Sequence, residues 1–331
     1  MEYRRLGKSE LQVSRLSFGA WQLGDPDYWG DFEESAAHAT VHEAVDRGVN
    51  LFDTAEWYGA GRSEEVLGRA LRGRRHRVLV ASKVSPQNCT REGVRASCEA
   101  SLTRLGLDAI DLYQVHWPNH DVPFDETYEA LETLRREGKI RHIGVSNFGP
   151  KDLDAWMAAG DAVSDQVGYN ALFRAPEFEI VPKCREHDLG ILAYMPLMQG
   201  ILAGRWKTID DIPPKRRRTR HFASTREGAM HTEPGAEDLL LDTLAQLGAL
   251  ANELGHPMAD LAIAWLTRQP GVTSVIAGIH TSEQLRRNVD AAELVLDDDA
   301  LARISAITEP LKDRLGPNAD MWKSGNDSRI R

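Results

Sequence analysis

The sequence predicts an α/β fold closed into a (β/α)8 TIM barrel, on three observations. Short apolar, β-branched runs alternate with amphipathic stretches along the whole chain, the pattern of a parallel sheet whose crossovers are helices. An open dinucleotide-binding sheet would place Gly-x-Gly-x-x-Gly after an early strand. The nearest string, Gly59-Ala60-Gly61-Arg62-Ser63-Glu64, lacks the third glycine and follows Tyr58 instead of a strand. Polar groups also recur where the strands end, as they do on the carboxyl rim of a closed barrel.

The elements follow in order. Residues 3–6 and 11–14 flank Gly7-Lys8-Ser9-Glu10 and form an amino-terminal β-hairpin. Strands are expected at 16–19, 49–52, 78–81, 110–115, 140–145, 165–167, 191–193 and 275–277, and helices at 33–47, 63–72, 91–105, 123–137 and 150–159. Gly48, Gly106, Gly138 and Gly190 sit where a helix C-terminus wants a left-handed residue. Asp53 closes the second strand, Lys83 follows the third and His116 the fourth. Ser146 and Asn147 follow the fifth, Gln166 lies in the sixth, Tyr194 follows the seventh and Gly278 the eighth. One stretch breaks the rhythm: residues 200–236 hold Pro213, Pro214, Pro234 and a basic run with little periodicity, as a functional lid would. No linker or repeat divides the chain, so residues 1–331 read as a single barrel domain.

Composition narrows the class. The 331 residues carry 40 Lys+Arg against 50 Asp+Glu, a formal charge of −10, with 42% hydrophobic residues. That balance is globular, and it argues against nucleic acid as a partner. No apolar run approaches the roughly 18 residues of a membrane span, and the charged start, MEYRRLGKSEL, is no secretory signal. Cys89, Cys98 and Cys184 make neither a disulfide framework nor a zinc spacing. A cytoplasmic enzyme without a metal is the expectation, with the oligomeric state left open.

Asp53, Tyr58, Lys83 and His116 carry the chemistry. A tyrosine titrates near roughly 10 in water, too high to give up its proton readily at neutral pH. A lysine ammonium beside it favours the phenolate, and an aspartate keeps that lysine charged and placed. A neutral imidazole can hydrogen-bond a carbonyl oxygen as negative charge develops. Tyr58 is thereby a candidate general acid for a carbonyl that receives hydride on carbon. The strings are Asp53-Thr54-Ala55-Glu56-Trp57-Tyr58-Gly59, Ala81-Ser82-Lys83-Val84 and Leu112-Tyr113-Gln114-Val115-His116-Trp117-Pro118.

In these strings the chain resembles the aldo-keto reductase family, over essentially its whole length and with the family's catalytic tetrad in order and spacing. The resemblance implies the (β/α)8 barrel, transfer of the 4-pro-R hydride, and NAD(P)H bound across the rim without a Rossmann domain. It implies that Ser146 and Asn147, in Gly144-Val145-Ser146-Asn147-Phe148, hold the nicotinamide carboxamide together with Gln166, and that the ring stacks on Tyr194. Ala20, Trp21, Leu197 and Gly200 are further cofactor contacts on the same ground. Gly278, His280, Gln284 and Asn288 match the adenine end, Gly-x-Arg-x-x-x-Gln-x-x-x-Asn, except that His280 replaces the cation. Met195 also departs, where the family usually has serine in Tyr-Ser-Pro-Leu. Histidine pairs with a phosphate more weakly than arginine, so NADPH is expected first, with NADH or dual use open.

Each of these residues has a plainer reading. A lone Asp53 is a turn carboxylate and a lone Lys83 an exposed strand end, but their co-occurrence with Tyr58 favours the site. Pro118 between His116 and His120 argues against a helical metal pair. Trp21, Trp57, Trp117 and, less so, Trp29 fall in strand-end loops and are read as an aromatic substrate pocket instead of core. The basic run 215–220 is a solvated loop or a clamp on the cofactor pyrophosphate, and the tail 315–331, with Met321-Trp322, is a candidate cover for the pocket. The reading is a reductase of aldehydes or ketones, small or sugar-like. Its rival is a cofactor-binding regulatory subunit of the same fold, like the potassium-channel β subunits. The complete tetrad and the lack of an amino-terminal extension favour the enzyme.

Overall fold

The structure, a computed structural model, describes residues 1–30 and 32–331. Its centre is a closed barrel of parallel strands: β1 (Leu16–Gly19), β2 (Leu51–Asp53), β3 (Leu79–Val84), β4 (Ile110–Val115), β5 (Ile140–Ser146), β6 (Ser164–Gly168), β7 (Gly190–Tyr194) and β8 (Val272–Gly278). Each strand pairs with the next, and β8 returns to β1. Helices α1 (Glu34–Asp46), α2 (Arg62–Ala70), α3 (Arg91–Leu105), α4 (Phe124–Arg136), α5 (Pro150–Ala159) and α6 (Ile180–Glu186) make the first crossovers. Two helices, α7 (Glu237–Leu254) and α8 (Met258–Thr267), lie between β7 and β8. They are followed by α9 (Ser282–Glu293) and α10 (Asp298–Leu315). The expected strands and helices all form, with ends moved by a few residues. The largest shifts are in β8, which starts three residues early at Val272, and in β3, which runs on through Lys83 to Val84.

Two apolar layers hold the barrel. One lies between strands and helices. The other fills the barrel's lower interior, where Leu51, Ala81, Leu112, Leu192 and Ile276 meet Leu6, Leu11 and Val13. The last three come from the hairpin Tyr3–Arg5 and Gln12–Ser14, which plugs the amino end. Side chains alternate along a strand. Two residues above the interior Leu51, Ala81, Leu112 and Leu192 therefore come Asp53, Lys83, Gln114 and Tyr194, facing inward at the carboxyl end. The closed sheet converts this spacing of two into a ring of polar groups.

One expectation is corrected. Gly48, Gly106 and Gly138 do take positive φ after helices, but Gly190 does not. It is the first residue of β7, and Asp188 makes the left-handed turn at φ 51°. Glycine is needed at 190 for space: a Cβ there would lie 2.7 Å from Leu6 Cδ1 and from Thr273 Oγ1, and 2.8 Å from the Gly7 nitrogen. Gly190→Ala should therefore push the plug outward and cost about 1–3 kcal/mol in denaturant unfolding; unchanged stability would contradict this packing.

Candidate active site

The inward ring and its loops bring the four chemistry-bearing residues together. Lys83, wholly buried, points its ammonium at three oxygens: Asp53 Oδ2 at 2.8 Å, the Thr54 carbonyl at 2.8 Å and Tyr58 Oη at 3.2 Å. All three N–H bonds are thus used inside the protein. Asp53, 3% exposed, accepts from Gln166 Nε2 on its other oxygen at 2.7 Å. His116, after β4, meets the Tyr58 ring edge-on with centroids 5.7 Å apart, and its main-chain nitrogen donates to Val84.

The electrostatics correct one expectation. Lys83 does not lower the Tyr58 pKa below its ordinary value. Tyr58 opens on the barrel mouth, but its phenol is densely surrounded, and this desolvation, with the Asp53 carboxylate second, pushes its pKa well up. Burial lowers the Lys83 value, and Asp53 opposes that. Burial first, then Lys83 and Arg329, holds the His116 imidazole well below its ordinary value, so it is neutral at neutral pH. The resting set is therefore a protonated phenol against an ammonium, beside an uncharged imidazole.

The residues matched to the nicotinamide end also meet. Asn147 takes φ 62°, a left-handed turn that asparagine tolerates. Its Nδ2 donates to the His116 carbonyl and to Ser146 Oγ, each at 3.0 Å, and its Oδ1 accepts from Tyr194 Oη at 2.6 Å. Ser146 Oγ in turn donates to the Gln166 carbonyl at 2.8 Å. Ala20 is buried; its nitrogen donates to the Asp53 carbonyl and its own carbonyl accepts from Ser63 Oγ. Leu197 and Gly200 lie in the turn after β7, where the Gly200 nitrogen donates to the Leu197 carbonyl at 2.8 Å. At the adenine end the His280 nitrogen donates to Gln284 Oε1, and Thr281 Oγ1 caps α9, which also carries the buried Asn288.

These residues suit a dinucleotide. Trp21 Nε1, Gln22 Oε1 and His280 Nε2 are buried polar atoms without a partner among the described residues. A Cβ on Gly278 would fall 2.0 Å from Gln22 Nε2, so a larger residue here would have to displace the Gln22 amide. The α9 N-terminus lies directly beyond, where backbone N–H groups favour a phosphate.

The aromatic wall divides in two. Trp21 stacks on Tyr58 (5.8 Å) and on Tyr28 (5.1 Å), with Trp29 edge-on at 5.2 Å. Trp117 faces Trp322 of the tail at 6.1 Å. Trp57 joins neither group and stands 60% exposed on the outer rim.

Two covers pack on the rim of the mouth. In the long loop, Gln199 Oε1 and the Lys215 carbonyl both accept from Tyr28 Oη, at 2.6 and 2.8 Å, and Arg216 packs between Trp29 (5.5 Å) and Trp206 (5.6 Å). The basic run is thus divided: Arg216 and Arg218 join the loop to the Trp21–Trp29 turn, while the buried Arg220 holds the Leu315 and Asn318 carbonyls of the tail. In the tail, Arg329 lies 3.6 Å over the Trp117 ring and pairs with the fully buried Asp320 through Nε and Nη2, both at 2.8 Å. Sequence reading missed Tyr28, Asp320 and Arg329. No periodicity marks them; a signal existed only in the density of aromatic and arginine residues in two stretches far apart in the chain.

The model of the aldo/keto reductase family matches residues 15–309. The chain belongs to that family. It is 32% identical to an NADH-specific methylglyoxal reductase of Escherichia coli (strain K12), over 93% of this chain and 98% of that protein. It is 31% identical to a probable voltage-gated potassium channel subunit beta of Arabidopsis thaliana, over 89% of this chain and 92% of that one. Among solved structures, an aldo/keto reductase from Klebsiella pneumoniae in complex with NADP and acetate superposes with a TM-score of 0.73 at 32% identity, covering 96% and 95% of the two chains. This protein is thus an aldo/keto reductase-type oxidoreductase by family. Among the described residues, no helix is long and apolar enough to cross a membrane.

The tail makes a separate prediction. Asp320 accepts five hydrogen bonds, from Arg329 (three), Trp322 and Lys323. Asp320→Ala would leave a guanidinium unpaired against Trp117 and should cost roughly 3 kcal/mol, with loss of amide hydrogen-exchange protection confined to 315–331. Unchanged protection there would show that the pair does not hold the tail.

Proposed function

We propose that this protein reduces an aldehyde or ketone, small or sugar-like, to the alcohol with a nicotinamide cofactor, Tyr58 serving as general acid. One observation carries the reading: a single buried ammonium bonds Asp53, the Thr54 carbonyl and the Tyr58 hydroxyl at once. When bound, the dihydronicotinamide supplies the hydride. The chain's own residues do the rest. The His116 imidazole and the Tyr58 hydroxyl hold the carbonyl oxygen from two sides. As negative charge develops on that oxygen, Tyr58 gives up its proton, and Lys83 stabilises the phenolate left behind. Asp53 keeps Lys83 charged and aimed. Trp21, Trp117 and Trp29 exclude water from the reacting carbon, and Ser146, Asn147, Gln166 and Tyr194 locate the nicotinamide ring.

Residues 1–331 act here as one unit, with hairpin, long loop and tail packed on the same barrel. We expect NADPH to serve, with NADH as a second cofactor, because His280 offers a 2′-phosphate less than an arginine would. The Klebsiella structure holds NADP, and the Escherichia coli relative is NADH-specific, so both choices occur among similar proteins. The likeness to the Arabidopsis channel subunit favours a second reading, a cofactor-binding subunit with little turnover. Oxidation of NADPH and NADH followed in parallel against aldehydes, ketones and keto-sugars separates the two.

Two outcomes are expected. Tyr58→Phe should lower kcat at least roughly 100-fold while leaving cofactor Kd within about twofold, since its ring and packing remain; turnover at the parent rate would remove Tyr58 from the mechanism. The pH dependence follows from the directions above. Tyr58, raised, stays protonated through neutral pH; His116, lowered from its usual value near about 6.5, stays neutral as pH falls through that value. Reduction kcat/KM should therefore be flat between about pH 6 and 8, while the reverse oxidation, which needs the phenolate, climbs with pH. A limb in the reduction profile near neutral pH would contradict this assignment.

A further inference from the structure

The amide of Gln166 has two different ends, and only one of them can face the barrel mouth. Gln166 is 2% exposed and Asp53 is 3% exposed, and the bond between them is 2.7 Å long. A carboxylate only accepts, so Gln166 must present Nε2 to Asp53. Turned over, Oε1 would meet a carboxylate oxygen at that distance, acceptor against acceptor, between two buried side chains. Asp53 cannot relax, because its other oxygen is held by Lys83 Nζ. Oε1 of Gln166 makes no hydrogen bond among the described residues.

The neighbouring polar groups are differently placed. Both N–H bonds of the Asn147 amide are used by the His116 carbonyl and Ser146 Oγ, its oxygen accepts from Tyr194, and the Ser146 hydroxyl donates to the Gln166 carbonyl. Of the three residues matched to a carboxamide, Gln166 thus has a wholly free acceptor.

We propose that Asp53 is a positioning residue for Gln166 as well as for Lys83: it locks the Gln166 amide with Oε1 toward the mouth, so that the site selects a ligand amide N–H. This rests on the nicotinamide reading above and adds to it a direct link between cofactor recognition and the Tyr58–Lys83–Asp53 chain. The carboxylate that holds the proton donor's partner also sets the polarity of the cofactor pocket.

Asp53→Asn tests the lock. Lys83 still demands an oxygen, so the substituted side chain turns its amide nitrogen to Gln166. Gln166 must then flip, giving Oε1 to that nitrogen and leaving Nε2 at the mouth. Calorimetric Kd values would be measured for NADP+ and for its 3-acetylpyridine analogue, in which a methyl replaces the amide nitrogen. The parent should bind NADP+ roughly tenfold more tightly than the analogue, the worth of one hydrogen bond. Asp53→Asn should reduce that preference to about twofold or less, chiefly by weakening NADP+. Gln166→Met, which has no acceptor to offer, should do the same, and serves if Asp53→Asn does not fold. An undiminished tenfold preference in either variant overturns the lock while leaving the reductase reading intact. A parent that binds neither nucleotide overturns both.

Discussion

A lysine ammonium sealed inside a protein is tolerated only when each of its N–H bonds has an oxygen, because an unpaired buried charge costs several kcal/mol. Lys83 meets that demand with oxygens from Asp53, Thr54 and Tyr58. Much of the architecture follows. Asp53 must end β2 beside β3, which their register provides by pairing Asp53 with Ala81, two residues below Lys83. Tyr58 must return over the mouth within five residues of Asp53. Gln166, across the barrel on β6, must reach the second carboxylate oxygen. Closure of the sheet satisfies all of these at once, since it brings alternate residues of separate strands to one ring.

The remaining elements pack around that ring. From below, Leu6, Leu11 and Val13 of the hairpin fill the barrel floor, and Gly190 leaves them room. From above, the long loop is tied to the first turn through Tyr28 and Arg216, and the tail is tied down through Arg220 and Arg329. This dense packing has an electrostatic consequence. Desolvation raises the phenol and lowers the imidazole, so both are neutral at rest. In the reduction proposed above, the ammonium beside the phenol then acts chiefly on the phenolate left by proton donation. That resting state suits the reduction proposed above at neutral pH.

The fold was legible because two periodicities are written plainly in the chain, and the tetrad because Asp53, Tyr58, Lys83 and His116 each sit a short count from a strand end. Strand ends were less so: Lys83, expected after β3, lies inside it, since a buried lysine does not look like strand interior in sequence. The direction of the Tyr58 shift was misread for a related reason. Sequence shows that a lysine is near, but not how much protein surrounds the phenol. Gly190 looked like a helix cap because its contact, Leu6, is remote in sequence. Tyr28 with Gln199, and Arg329 with Trp117, are likewise contacts across the barrel mouth that no local pattern encodes.

The central claim is that the Lys83 ammonium makes the Tyr58 hydroxyl an acid. Lys83→Met keeps the length and volume of the buried stem and removes only the charge and its three N–H bonds. In a protein that still folds and still binds NADPH, kinetics of NADPH oxidation should show carbonyl reduction lowered at least roughly 100-fold. If Lys83→Met reduces the same carbonyl as fast as the parent at neutral pH, Tyr58 does not depend on the ammonium and the account is wrong.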